Sequence, residues 1–405
     1  MEIALPSIRA MLDNGTDATP QTCDQWNLLA FPIETYRARL ASVQSDLNDK
    51  GLAGCLLFDP ENIYWLTGYQ TIGYFTFQAL YVSATGLPIL VSRFVNRDLA
   101  LAHPTIGDVA AITDTDDPIE RMITFLKDGR RAPLGIETTS WYLTAQDYTR
   151  LMASDAGPFA DWTGVIEAWR LTKNDAEIER MRQAARAAEA GLDAAIRAVA
   201  PGKTENDIAA AMFEASIAAG SEYLGHPPLV VTGKTTALCF AMWRRRKIEI
   251  GDVVLLETAG CVDRYHAMLS RPVVVGEPQM RHREAADALR GVLEAAVESI
   301  RPGRTSGEID EQCRQVVERQ GLGRYFKHRA AYGIGIGFPP NWSEGHIYAI
   351  RPDDPLVLEP NMTFHVIPTL FLDDFGMCFS DSVQVTEDGC ELLTQFPRDL
   401  FVIDP

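Results

Sequence analysis

The chain has no long apolar run. No stretch approaches 18 consecutive apolar residues, so no membrane-spanning helix is expected. Positive charge is scarce: 37 Lys and Arg face 55 Asp and Glu, a formal charge of −18 at pH 7. That balance argues against nucleic acid and acidic membranes as partners. It is compatible with a cationic or zwitterionic small molecule, although acidity also serves solubility alone. Cysteine is sparse and scattered, with 7 residues at 23, 55, 239, 261, 313, 378 and 390, and no Cys-x-x-Cys pair. Neither a disulfide framework nor a zinc ribbon is expected. Glu2 stands early, with no basic segment leading into an apolar core, so no secretory signal is expected and the cytoplasm is the default location.

What is present is an ordinary soluble composition, 46% apolar and 23% charged over 405 residues, longer than one core usually supports. Residues 1–30 are polar and irregular and read as an arm. Tyr36, Leu40, Val43 and Leu47 share one face of a helix that ends at Gly51. Strands are expected at Cys55–Phe58, Ala79–Val82, Pro88–Val91, Val109–Ile112 and Leu134–Glu137, with a helix at Ile119–Leu126. This alternation makes 31–168 an α/β domain and leaves 169–405 as a second domain, entered by a long helix that starts at Asn174/Asp175 and stops at Pro201–Gly202.

The second domain repeats itself. A long amphipathic helix, then Pro-Gly-basic-Thr, then an acidic residue and Ile occur from Ala184 and again from Glu284, with Pro201 and Pro302 in equivalent positions. A helix–helix–strands unit used twice predicts a pseudo-twofold α+β domain with a cleft between its halves.

Between the repeats, Val253–Leu256 and Pro272–Val275 flank a polar turn containing Gly260 and Asp263, a hairpin pattern. Glu257 ends the first apolar run, and His266 and Arg271 precede the second. A buried carboxylate is costly unless paired. Glu257 therefore either pairs with Arg271 or caps the turn, or it faces a site.

These residues resemble the creatinase and aminopeptidase-P family of pita-bread proteins from about Ile33 to Val402. The resemblance rests on the run from Asp59 to Tyr69, the entry helix, the doubled Pro-Gly-basic-Thr units and the closing Asp381–Thr394 segment. It implies an α+β fold: a pita-bread C-terminal domain preceded by a creatinase-type α/β domain. Peptidases of this family hold two metal ions with two Asp, one His and two Glu, at positions that here fall on Glu257, Met268, Tyr332, Ile367 and Ser380. Met, Ile, neutral Tyr and Ser are poor ligands for hard divalent ions. The resemblance therefore narrows to the metal-independent branch, with no cofactor. Within it, Glu257–Cys261, Arg264–His266, Leu269–Arg271, Phe338–Trp342 and Met362–Leu370 are similar to the ectoine hydrolases.

That similarity implies hydrolysis of a C–N bond in a small cyclic amidine, ectoine to N-acetyl-2,4-diaminobutyrate, through a covalent intermediate on Glu257. A creatinase-like amidinohydrolase and a non-catalytic binding module are the alternatives. His266 or His365 would move protons. Tyr265 or Tyr332 would hydrogen-bond developing charge. Arg271, or one of Arg244–Arg246, would take a substrate carboxylate. Trp342 either walls a cationic ring or packs in the core. Phe240 stands where these hydrolases carry a histidine, with Cys239, expected buried, and His226 nearby. Trp65 and Tyr69 are either core or part of a pocket closed by a second copy, since the resemblance implies a homodimer.

Overall fold

The computed structural model describes residues 26, 28–127 and 133–404, so most of the expected arm lies outside the described residues. The chain divides into two compact units, with the boundary in sequence between Ala168 and Trp169. No helix among the described residues is long and apolar enough to cross a membrane.

In the first unit, helix α1 (Ile33–Asp49) turns Tyr36, Arg39, Val43 and Leu47 inward at three- and four-residue spacing. Strand β1 (Gly54–Leu57) leads to α2 (Pro60–Thr67), which has proline in its first turn and stops at Gly68, whose φ is +73°. Next come β2 (Gln78–Ser83), β3 (Ile89–Arg93), α3 (Arg97–Leu101), β4 (Asp108–Ile112), α4 (Pro118–Lys127), β5 (Leu134–Ile136), α5 (Ala145–Met152) and β6 (Phe159–Asp161). The strands form one mixed sheet in the order β4-β3-β2-β1-β5-β6. Leu56, Phe58, Tyr81, Met122 and Leu126 lie in its core.

Trp65 and Tyr69 are buried in the interior of this unit, the core alternative of the two expected, and neither lines the cavity described below. The Arg39 guanidinium lies 4.6 Å from the Trp65 ring centroid and donates to the Trp65 carbonyl at 2.7 Å. Tyr69 is buried, with its ring edge-on to His103 at 5.4 Å, and burial pushes its hydroxyl up to about 12.

Helix α6 (Val165–Arg170) runs across the junction. The second unit opens with α7 (Asp175–Ala198), whose Asn174/Glu177 capping box satisfies its first free amides. The repeat is realised as two helix pairs. Helix α8 (Glu205–Ala218) is capped by Thr204 with Asp207, and the later helix of the second pair by Thr305 with Glu308. Gly202 and Gly303 both sit at φ +82°, the left-handed turn that brings each chain into its cap.

Strands β7 (Leu229–Thr232), β8 (Val253–Val262) and β9 (Tyr265–Val275) follow the first pair. The second pair is α9 (Met280–Ser299) and α10 (Ser306–Arg319). After it come β10 (Ala331–Gly333), β11 (Ala349–Ile350), β12 (Thr363–Val366), β13 (Thr369–Phe371), β14 (Gly376–Cys378), β15 (Asp381–Val385), β16 (Cys390–Leu392) and β17 (Phe401–Ile403). Three sheets result: β17-β9-β8-β7 and β11-β10-β12-β15-β16, joined by a bridge between Ser270 and Ser380, and the two-stranded β13-β14. Leu192, Val254, Leu256 and Val273 share one core, and Leu289, Ile309, Phe364 and Val383 the other.

The hairpin is longer than expected. Its turn lies at Asp263 and Arg264, both at positive φ, as a two-residue type I′ connection requires. Gly260 is not in that turn. It sits inside β8, where an added Cβ would stand 1.9 Å from the Ala184 carbonyl of α7, so it serves close backbone approach.

Candidate functional site

Strand alternation builds the site. Leu229 pairs with Glu257 and Val231 with Leu255, so these four side chains share one face of the first sheet. Their neighbours Val230, Val254 and Leu256 face the other way, into the core with α7 and α8. Facing Glu257 across a cavity of about 300 Å³, the second repeat contributes Tyr332, Ile367, Thr369, Phe371 and Cys378. Trp342, Arg329, His328, His226 and the 238–241 loop complete the lining.

Glu257 is 6% exposed, and no hydrogen bond or ion pair among the described residues reaches its carboxyl group. Burial pushes it up to about 8, so the group is a neutral acid at pH 7. The same site raises its neighbours. Burial, then the charge of Glu257, pushes Cys378 up to about 12 and lifts Tyr332 well above the usual phenol range.

Tyr332 is the cavity end of a buried chain. Its hydroxyl lies 2.7 Å from His365 Nδ1, and His365 Nε2 lies 2.6 Å from Ser380 Oγ. Burial holds His365 well below the usual imidazole range, so it is neutral. Trp342 lines the cavity beside Tyr332. The His226 ring lies 4.6 Å from the Trp342 ring, tilted by 48°.

Arg329 was not picked out by sequence. Its guanidinium lies 5.1 Å from the Tyr332 ring centroid, and its Nη1 donates to the Gly345 carbonyl at 2.7 Å. No carboxylate pairs with it among the described residues, and burial lowers its affinity for a proton. Sequence marks it only as one more basic residue, three positions before Tyr332.

Phe240 lines the cavity mouth, 72% exposed and at φ +59°, a strained setting for a bulky side chain. Cys239 beside it is exposed rather than buried, which corrects the expectation for that residue.

Four expectations are corrected by position. His266 does not reach the cavity: the Gly225 amide donates to its Nε2 at 3.0 Å, and its Nδ1 lies 2.9 Å from the Arg264 carbonyl. Tyr265 donates to Glu177 at 2.6 Å, away from the cavity lining. Arg271 pairs in register with Leu256, one residue out of phase with Glu257, so it faces the other side of the sheet. There it ion-pairs with Asp381 at 2.8 Å and donates to the carbonyls of Ser380, Phe396 and Pro397. Arg244, Arg245 and Arg246 are not among the lining residues, and Arg246 is ion-paired with Asp252.

The residues do not fit a dinuclear metal centre. Of the five family ligand positions only Glu257 carries a carboxylate; Tyr332 and Ser380 offer neutral hydroxyls, Ile367 carries no donor, and Met268 is a soft thioether buried in β9. Among the described residues no group of three or more His, Cys, Asp or Glu side chains is placed to hold a metal ion.

Residues 179–387 match the model of metallopeptidase family M24, and 39–172 match the creatinase/prolidase N-terminal domain. The chain is 30% identical over 396 residues to the ectoine hydrolase of Halomonas elongata, covering 92% of this chain and 98% of that protein. It is 28% identical to an Xaa-Pro dipeptidase of Pyrococcus furiosus, covering 90% and 99%. Among solved structures, a dipeptidase of Mycobacterium ulcerans matches with a TM-score of 0.78 at 25% identity, over 93% of this chain and 100% of that one. A prolidase of Thermococcus sibiricus matches in fold with a TM-score of 0.82 at 24% identity, over 91% and 99%. The chain therefore belongs to metallopeptidase family M24, a hydrolase family, with a creatinase-type N-terminal domain and a pita-bread C-terminal domain.

Proposed function

We propose that the protein is a metal-independent hydrolase that breaks a C–N bond in a small zwitterion bearing a cyclic amidinium. Ectoine is the first substrate to test, with N-acetyl-2,4-diaminobutyrate as product. The observation that carries this reading is Glu257: a buried, unpaired carboxyl group in a largely apolar cavity. A cation is what such a group lacks. Trp342 and Tyr332 offer faces to a delocalised cationic ring, and Arg329 offers an unpaired guanidinium to the substrate carboxylate. The poor metal donors at Met268, Tyr332, Ile367 and Ser380 support chemistry that uses Glu257 itself.

Ionised Glu257 bonds through oxygen to the amidinium carbon, and the C=N electron pair moves onto nitrogen. Water then attacks the Glu257 acyl carbon and frees the substrate oxygen. The substrate carbon becomes an amide carbonyl as its bond to one ring nitrogen breaks, and the released proton goes to the departing amine. One water is consumed and Glu257 is restored. In a single turnover in heavy-oxygen water, the label should appear in Glu257. Label in the product amide would instead make Glu257 a general base.

The deciding experiment incubates chelator-treated protein with ectoine and follows ring opening by NMR. Creatine and an Xaa-Pro dipeptide, each with and without Mn²⁺, run in parallel. Metal-free turnover of ectoine that is lost in Glu257→Gln supports the proposal. Turnover of the dipeptide only with Mn²⁺ sinks it in favour of a peptidase. Turnover of creatine instead makes the protein an amidinohydrolase, and ectoine binding without turnover makes it a binding protein.

A further inference from the structure

We propose that Ser380 and His365 are positioning residues that hold the Tyr332 hydroxyl hydrogen in the cavity, making Tyr332 the acid that protonates the leaving nitrogen. The argument is hydrogen-bond accounting. Ser380 is fully buried, and the one hydrogen-bond partner of its hydroxyl among the described residues is His365 Nε2. Were Nε2 protonated, the serine hydrogen would be buried without an acceptor, a costly arrangement. Ser380 therefore donates and Nε2 accepts. A neutral imidazole carries one hydrogen, so that hydrogen sits on Nδ1.

Nδ1–H then donates to the Tyr332 oxygen at 2.7 Å. Trp342 lines the same cavity beside it. With Nδ1–H on its oxygen, Tyr332 cannot give its own hydrogen to His365, and no other side chain among the described residues is placed to accept it. The remaining direction is the cavity, where Glu257 stands. Tyr332 stays protonated at neutral pH because burial and Glu257 both raise it, so it reaches the substrate as a donor.

As the C–N bond breaks, the Tyr332 hydrogen passes to the departing nitrogen. The water that restores Glu257 returns a hydrogen to Tyr332, which ends unchanged. The His365 Nδ1–H on its oxygen stabilises the charge that develops there in between. This catalytic step rests on the C–N hydrolase reading, whereas the tautomer of His365 does not.

The test starts with substrate-free protein carrying nitrogen-15 histidine. Long-range proton–nitrogen correlation NMR reads the tautomer of each ring, and the signal pair missing in His365→Asn identifies His365. The expected result is a protonated Nδ1 and a bare Nε2, with Ser380→Ala shifting the hydrogen toward Nε2. With turnover established, Tyr332→Phe should lower kcat by about 10²-fold or more, the range of general acid catalysis. Ser380→Ala should lower kcat about tenfold with KM nearly unchanged, and should move the pH profile. Glu257, Cys378, Arg329, His328 and Trp342 also surround Tyr332, so the profile is compared between variants rather than read alone. A protonated Nε2 in the unaltered protein overturns the proposal, as does a Ser380→Ala protein with the original tautomer and kcat. Failure to turn over ectoine would sink the substrate assignment while leaving the tautomer result readable.

Discussion

Glu257 behaves as a proton carrier before it behaves as anything else. With its value near 8, roughly nine-tenths of the empty molecules hold the acid form at pH 7. A bound amidinium favours the ionised form, so binding should release close to one proton. Calorimetry in buffers of different ionisation enthalpy should show a buffer-dependent binding heat at pH 7 that fades by pH 9 and is absent in Glu257→Gln. Arg329 has a separate signature. Arg329→Ala should raise KM about 10- to 100-fold for a substrate with a carboxylate, the weight of one charge-assisted hydrogen bond, while kcat changes much less. A kcat loss as large as the KM change would place Arg329 in the chemistry instead.

At the scale of single elements, local signals and distant ones had different fates. The two helix starts at Thr204 and Thr305 were readable because a cap, its acidic partner and the preceding glycine lie within six residues. The five expected strands of the first unit also stand within two residues of their place. Glu257 was readable because an acid at the end of an apolar run is a local anomaly. His266 looked equally anomalous, yet its partners are backbone groups, one of them 41 positions away, and no side-chain pattern reveals them. Arg271 was misread for the same reason, since one step of strand register decides which face it joins. Arg329 was missed because its setting depends on Tyr332 and Gly345 being folded against it. Gly260 looked like a turn residue and is a packing residue. Gly260→Ala should push β8 away from α7 and cost about 1–3 kcal/mol, as overpacking does, measured by denaturant unfolding. An unchanged midpoint would show that α7 yields freely.

Across the whole molecule, the same carboxyl group weighs on stability. Its folded value, about 8, lies above its ordinary value of 4.5. Below pH 4.5 both the folded and unfolded chains hold the proton, and Glu257 costs nothing on that account. As pH rises from 4.5 to 8 the unfolded chain ionises first, and stability is lost at about 1.4 kcal/mol per pH unit, up to roughly 5 kcal/mol. Glu257→Gln removes that slope. The variant should match the original protein at pH 4 and exceed it at pH 8 to 9 in thermal or denaturant unfolding. Equal stabilities at pH 9 would mean that the carboxyl group is solvated after all.

A neutral floor also decides which cations the cavity ignores. Potassium, sodium and magnesium ions keep tightly held hydration shells, and the apolar walls formed by Leu255, Val231, Ile367 and Phe371 offer nothing to replace that water. An amidinium spreads its charge over several atoms and sheds its water at lower cost. Inorganic cations therefore compete poorly for Glu257, and an organic cation of diffuse charge can be bound in their presence.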